Sequence, residues 1–239
     1  MAQFPFGNDP NKIEKYRAFW GRDAVSRPLV GFSFVGWFPM EEFAACRNWT
    51  SSDYLTVDMV KPQDFMDDHV RLAREGEMID DDMIRGACPT QVTVPFLPAM
   101  LGNPLRILPQ NILGDERKLP WEEALAVGLD AAHPWYLKYM AFIDALVEIA
   151  AGRFPVSHGP EIGPTDLHAI LRGHNESIMD LMTAPEKSAE LLWHLGEIVR
   201  DMFKAVWQRI PLFHNGYFDA QYCMRIIGPG DHRQYWASK

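Results

Sequence analysis

The sequence has no apolar run approaching the ~20 residues that cross a bilayer. Its N-terminal stretch, "MAQFPFGNDPNKIEKYRAFW", turns charged too early for the continuous apolar core of a secretory signal. Both absences lead to the expectation of a cytoplasmic protein without a membrane partner. Cysteine is scarce. Cys46, Cys88 and Cys223 are odd in number and far apart, which argues against a disulfide framework and for reduced thiols. The Asn-x-Ser/Thr matches at Asn48 and Asn175 are then chance matches and not glycosylation sites. Runs of Lys and Arg are missing too, and with a formal net charge of -9 the chain is not expected to bind nucleic acid. No repeat, low-complexity segment or concentrated Pro-rich linker divides it, so residues 1–239 read as a single domain.

What is present is enough apolar material for a large core, 47% of the residues. Asn8 or Asp9 caps an opening helix with Pro10 in its first turn. "PLVGFSFVG" (28–36) reads as a strand, rich in β-branched and aromatic residues between Pro and Gly. "KPQDFMDDHVRLAREG" reads as an amphipathic helix ending at Gly76, followed by a solvated acidic loop, "EGEMIDDD". "QVTVPFLPAMLG" suggests a short strand broken at Pro95 or Pro98, and "LRILPQNIL" another. Pro134 opens a long apolar helix closed by Gly152. After a strand, a Gly/Pro loop and two short helices comes the clearest helix. Thr183 and Glu186 form its capping box, Leu192, Leu195, Val199, Met202 and Val206 trace its face, and Pro211 stops it. Strands alternating with helices predict an α/β protein with parallel pairing.

Three stretches together resemble the uroporphyrinogen decarboxylase superfamily, which includes the decarboxylase of haem synthesis and cobalamin-dependent methyltransferases. They are "RPLVGFSFVGWFPMEEF" (27–43), "VPFLPAMLGNPLR" (94–106) and "GPTDLHAILRGHNESIMDLMTAPE" (163–186), which match the family's first strand and turn, its Pro-aromatic run, and its Gly-Pro-Thr loop leading into a long helix. The resemblance implies a TIM (β/α)8-type barrel. Only four to six strands are visible, so the chain is expected to be an incomplete barrel, C-terminally short relative to the family.

The decarboxylase grips substrate carboxylates with two first-strand arginines. Here Ser33 and Trp37 stand at the matching positions, and the tyrosine of the Gly-Pro-Thr helix is replaced by His168 or Ala169. The decarboxylase's pyrrole-binding aspartate corresponds to one of Asp80, Asp81 or Asp82. The methyltransferase branch holds zinc with a His-x-Cys pair and a distant Cys, and no His-x-Cys occurs in this chain. The resemblance therefore implies corrinoid-dependent methyl transfer from a small or aromatic methylated substrate. A corrinoid protein would be the partner and corrinoid the cofactor, with no zinc site on this chain. A non-catalytic relative that needs a second copy or another subunit is the alternative, and tetrapyrrole decarboxylation the third.

Barrel enzymes place their chemistry at the carboxyl ends of strands. There the loop "SHGPEIGPTD" offers His158 and Glu161 as an acid/base pair, with Asp166 and His168 beside a substrate. Against this, Asp166 or Thr165 serves equally as a helix cap. In "FHNGYFDAQY", His214 precedes a Gly turn, and Asp219 either acts as an acid raised in pKa by its aromatic surroundings or faces solvent. Trp37 and Phe38 would stack on a flat ligand or pack in the core.

Overall fold

The structure, a computed structural model, describes residues 9–23, 26–32, 39–159, 161–214, 216–219 and 225–227. Helix α1 (Pro10–Gly21) starts where Asp9 accepts a hydrogen bond from the Asn11 N–H at 2.9 Å and Pro10 supplies the first helical φ. It buries Ile13 and Tyr16 against Ile84, Cys88, Phe213 and Phe218. Strand β1 (Tyr54–Leu55) comes next, and a 3-10 turn over Pro62–Phe65 leads into α2 (Met66–Glu77). A short α3 (Phe96–Met100) precedes the hairpin β2 (Leu105–Ile107) and β3 (Ile112–Gly114). Five helices follow: α4 (Trp121–Ala126), α5 (Pro134–Ala150), α6 (Pro164–Arg172), α7 (His174–Thr183) and α8 (Pro185–Trp207). Strands β4 (Tyr217–Asp219) and β5 (Arg225–Ile227) close the described chain.

The main core joins the apolar face of α5 (Tyr139, Met140, Phe142, Ile143 and Leu146), which packs on α2 and α3, with the apolar face of α8 (Leu191, Leu195, Val199, Met202 and Val206), which packs on α4, α6 and α7. Spacing of three and four residues puts each set on one helix face, and each fully buried side chain contributes about 1.5–3 kcal/mol. Phe43, Phe65 and Phe142 enclose His69, whose ring lies 4.9 Å from Phe43 and edge-on to Phe142 at 6.0 Å.

The expected incomplete barrel of parallel strands is not what the described residues form. Helices dominate, and the strands make an antiparallel sheet in the order β1-β2-β3 and a separate antiparallel pair, β4-β5. Each misread segment has a local cause. In "QVTVPFLPAM" the prolines remove ladder donors and Thr93 takes a left-handed φ of 61°. The run winds instead into a turn over Pro89–Val92 and then α3. "LRILPQNIL" folds back on itself, pairing Ile107 with Ile112. Residues 28–32 form no strand, and two of their N–H groups go to side chains: Val30 donates to Asp82 and Phe32 to Asp81, each at 3.0 Å. Among the described residues, parallel pairing is limited to one bridge, Ala87 with Val156.

The acidic stretch expected to be a solvated loop is exposed at Glu77, Met78 and Asp80, but its last two carboxylates turn inward as a buried tie. Asp82 is 1% exposed and accepts from both terminal nitrogens of Arg27 and from Lys15 Nζ at 2.7 Å. Asp81 accepts from Arg85 at 2.5 and 3.0 Å and faces Lys12 at 3.4 Å. The capping box at Thr183 does not form either. The Thr183 hydroxyl donates back to the Met179 carbonyl, and Ala184 stands at the N-cap of α8.

Candidate functional site

The sequence-predicted residues separate into distinct environments. Ser33, Trp37 and Phe38 lie outside the described residues. Asp219 belongs to β4 by its backbone, and its side chain is likewise outside the description. Asp166 is exposed and caps α6, its Oδ2 accepting from the Gly163 N–H at 3.2 Å. His214 is exposed, with a left-handed φ of 49°; its carbonyl accepts from Arg17 and its ring stands edge-on to Phe213 at 4.7 Å. Burial and the neighbouring Arg17 lower its pKa.

His168 is buried in a different knot. Its Nε2 lies 3.8 Å from Asp180 Oδ2, and its ring is 6.3 Å from Trp121. Arg172 grips Asp180 through two nitrogens, at 2.8 and 3.1 Å, and stacks over Trp121 at 4.2 Å. Burial lowers the pKa of His168 against the opposing Asp180 carboxylate, and its Nε2 has no hydrogen-bond partner among the described residues. Its role here is structural.

His158 and Glu161 remain together on one loop, and the loop is tightly built. The Ala87–Val156 bridge sets its start, and Ser157 and His158 are fully buried. The Tyr139 hydroxyl donates to the His158 carbonyl, and the Gly159 N–H donates to Ser157 Oγ at 3.0 Å. The His158 ring stacks on Phe203 at 4.1 Å with 23° between planes. Gly159 sits at φ +74°, where a Cβ would come within 2.0 Å of Thr90 Oγ1 and 2.7 Å of Cys88 Sγ. Only glycine fits that contact, so the loop backbone lies directly on Cys88 and Thr90.

Glu161 turns inward from this loop. Its Oε1 is buried with no hydrogen-bond partner among the described residues, while the carboxyl accepts from the Leu97 N–H in the first turn of α3. Burial pushes its pKa well above the usual carboxylate range, against the lowering by the Leu97 N–H. Cys88, Thr90 and Tyr139 were not singled out from sequence as site residues. Gly159 was the signal that could have found the first two, because a glycine directly after a strand marks a close backbone approach.

Among the described residues, no three His, Cys, Asp or Glu side chains converge as a metal requires. Surface clefts of about 490 and 410 Å³ lie along α1 and α2, lined mainly by polar and charged residues such as Lys15, Arg27, Arg71 and Glu75. Neither borders the 157–161 loop. Comparison with known families, curated proteins and solved structures gives no match to this chain.

Proposed function

We propose that the chain is an enzyme of the uroporphyrinogen-decarboxylase-like, methyltransferase-related type, acting on a small or aromatic methylated substrate with Glu161 as proton donor. The observation that carries this reading is the carboxyl of Glu161, its Oε1 buried without a hydrogen-bond partner among the described residues and its pKa raised by burial, on the loop whose His158 ring stacks on Phe203. When a methyl group leaves an ether or amine, the electron pair of the breaking C–O or C–N bond stays on the heteroatom. A neutral acid at that atom gives up its proton as the bond breaks and is left as a carboxylate, which the Leu97 N–H stabilises. Solvent then restores the proton. The methyl acceptor is left to a corrinoid-bearing partner protein, and no step on this chain runs through it.

Tetrapyrrole decarboxylation is less well supported. The described arginines nearest the first extended segment, Arg27 and Arg85, are already engaged by Asp82 and Asp81. The test is methyl transfer from a panel of methylated phenols and amines to a corrinoid protein, with melting temperature followed in parallel. Glu161→Gln is expected to lower turnover about 10²–10⁴-fold with its melting transition intact. A folded chain that neither melts higher with any panel member nor transfers methyl would overturn the proposal.

A further inference from the structure

Thr93 is held in a conformation that its residue type resists. Among the described non-glycine residues with a left-handed backbone it is the one β-branched side chain, at φ 61°. The turn over Pro89–Val92 ends on this residue, whose N–H closes it by donating to the Thr90 carbonyl at 2.9 Å. Glycine would fill that place without strain. Threonine adds a hydroxyl, and the hydroxyl oxygen is buried with no hydrogen-bond partner among the described residues. No other described residue combines a left-handed non-glycine backbone with a buried polar atom in that state. Both features cost stability, and strained positions of this kind cluster where a ligand is handled.

The place of Thr93 in the chain ties it to the Glu161 loop. On one side of it Thr90 Oγ1 lies under Gly159, and on the other the Leu97 N–H bonds the Glu161 carboxyl. The stretch between is tightly wound, with Phe96 donating to the Val94 carbonyl at 2.9 Å and Ala99 to that of Pro95 at 3.4 Å. The loop that carries Glu161 therefore meets this segment both before and after Thr93. Thr93 Oγ1 and Glu161 Oε1 are both buried without a partner among the described residues. Leaving two such oxygens unbonded is costly, and a substrate with two polar atoms satisfies both. We infer that the Thr93 hydroxyl is the second polar contact of the Glu161 site, and that the substrate carries a hydroxyl besides its methylated heteroatom. This rests on the enzyme reading of Glu161 and adds to it what else the substrate presents. A hydroxyl suits threonine because each partner can donate or accept. A plain methyl ether leaves Thr93 unbonded in the complex, and a site built around a hydroxyl rejects the analogue that lacks one.

The test is isothermal titration of the full chain with methoxybenzene and its ortho, meta and para hydroxy derivatives, with melting temperature and methyl transfer to a corrinoid protein followed for each. The wild type is expected to bind at least one hydroxy derivative roughly 10- to 100-fold tighter than methoxybenzene, about the range of one buried hydrogen bond. Thr93→Val, which keeps the shape, and Thr93→Gly, which relieves the backbone, are expected to lose that preference, and Thr93→Ser to keep it. Thr93→Gly should also melt higher than the wild type, and Thr93→Val no lower. A wild type without the preference, or a preference that survives in Thr93→Val, overturns the inference and leaves the enzyme reading standing wherever methyl transfer is seen. If Thr93→Val and Thr93→Gly both melt clearly lower, the side chain serves the fold and the inference is likewise overturned. A preference lost with the hydroxyl, but with no methyl transferred, supports the contact and counts against methyl transfer as the reaction. A wild type that binds none of these compounds overturns the inference, while the enzyme reading falls only with the wider panel of methylated phenols and amines.

Discussion

At Asp81 and Asp82, and again at Glu161, the chain takes a carboxyl group out of water, and the outcomes are opposite. Arg27 at its side chain, with Lys15 and the Val30 N–H, holds Asp82 well below the usual carboxylate range against the cost of its burial. Burial would raise Asp81, but Arg85 and the N–H groups of Phe32 and Met83 outweigh it and lower its pKa as well. Glu161 has one backbone donor and no cation, and burial wins. The same functional group is held low in pKa and ties the chain together in one loop, and is pushed up in pKa in the other. The number of donors facing it decides which.

Removing the anion should cost most. Asp82→Ala leaves Arg27, Lys15 and the Val30 N–H without their acceptor, and because both cations are half exposed we expect a loss of about 3 kcal/mol in urea denaturation at pH 7. A change under about 1 kcal/mol would mean that water replaces the carboxylate and the tie is not structural.

The next effect concerns a third buried ionisable group. Burial lowers the pKa of His69 to about 3, and its Nε2 has no hydrogen-bond partner among the described residues. The unfolded chain binds a proton near the ordinary value of 6.5 and the folded chain does not, so stability is lost as pH falls from 6.5 toward 3. His69→Phe, which keeps the aromatic packing, should therefore raise stability by about 2 kcal/mol at pH 5 and much less at pH 8. An equal effect at both pH values would assign the gain to packing alone.

Tyr139→Phe removes the donor to the His158 carbonyl and should cost about 1 kcal/mol. In the enzyme reading it also loosens the loop that aims Glu161, so turnover should fall further than stability does. The last effect has the opposite sign. Glu161 has a raised folded pKa, so its contribution is present below pH 4.5 and is lost as pH rises above it. Glu161→Gln should raise stability at pH 7 and leave it unchanged at pH 4, whereas Asp82→Asn lowers it at pH 7. If both substitutions destabilise alike at pH 7, the two carboxyl groups are in the same state and the contrast between the loops is gone.

The parts legible in advance were those with local causes. Asp9 with Pro10 opens α1, Pro134 opens α5, and the spacing of Leu195, Val199, Met202 and Val206 gives the buried face of α8. Of the candidate site, Asp166 as a cap was readable because its acceptor reaches only three residues back. The state of Glu161 was not, because the Leu97 N–H and the surfaces that bury it lie more than sixty residues away in sequence. His158 and His168 look alike as letters, yet one stacks on α8 and the other sits beside Asp180 on α7.

By itself the sequence determined α1, α2, α5 and the apolar face of α8, though not α3, α4 or the cap of α8, since caps, prolines and apolar periodicity act within a turn or two of the chain. It also determined a composition with few thiols and no bilayer-length apolar run. Tertiary structure alone decided which apolar runs pair as strands, and it found antiparallel partners where parallel ones were expected. It decided that Asp81 and Asp82 are held low in pKa by their cations against the cost of burial while burial raises Glu161, which has no cation, and that α7 shows its apolar side to solvent. Strand pairing, desolvation and charge pairing all depend on groups distant in sequence, and their energies exceed the local preferences they override.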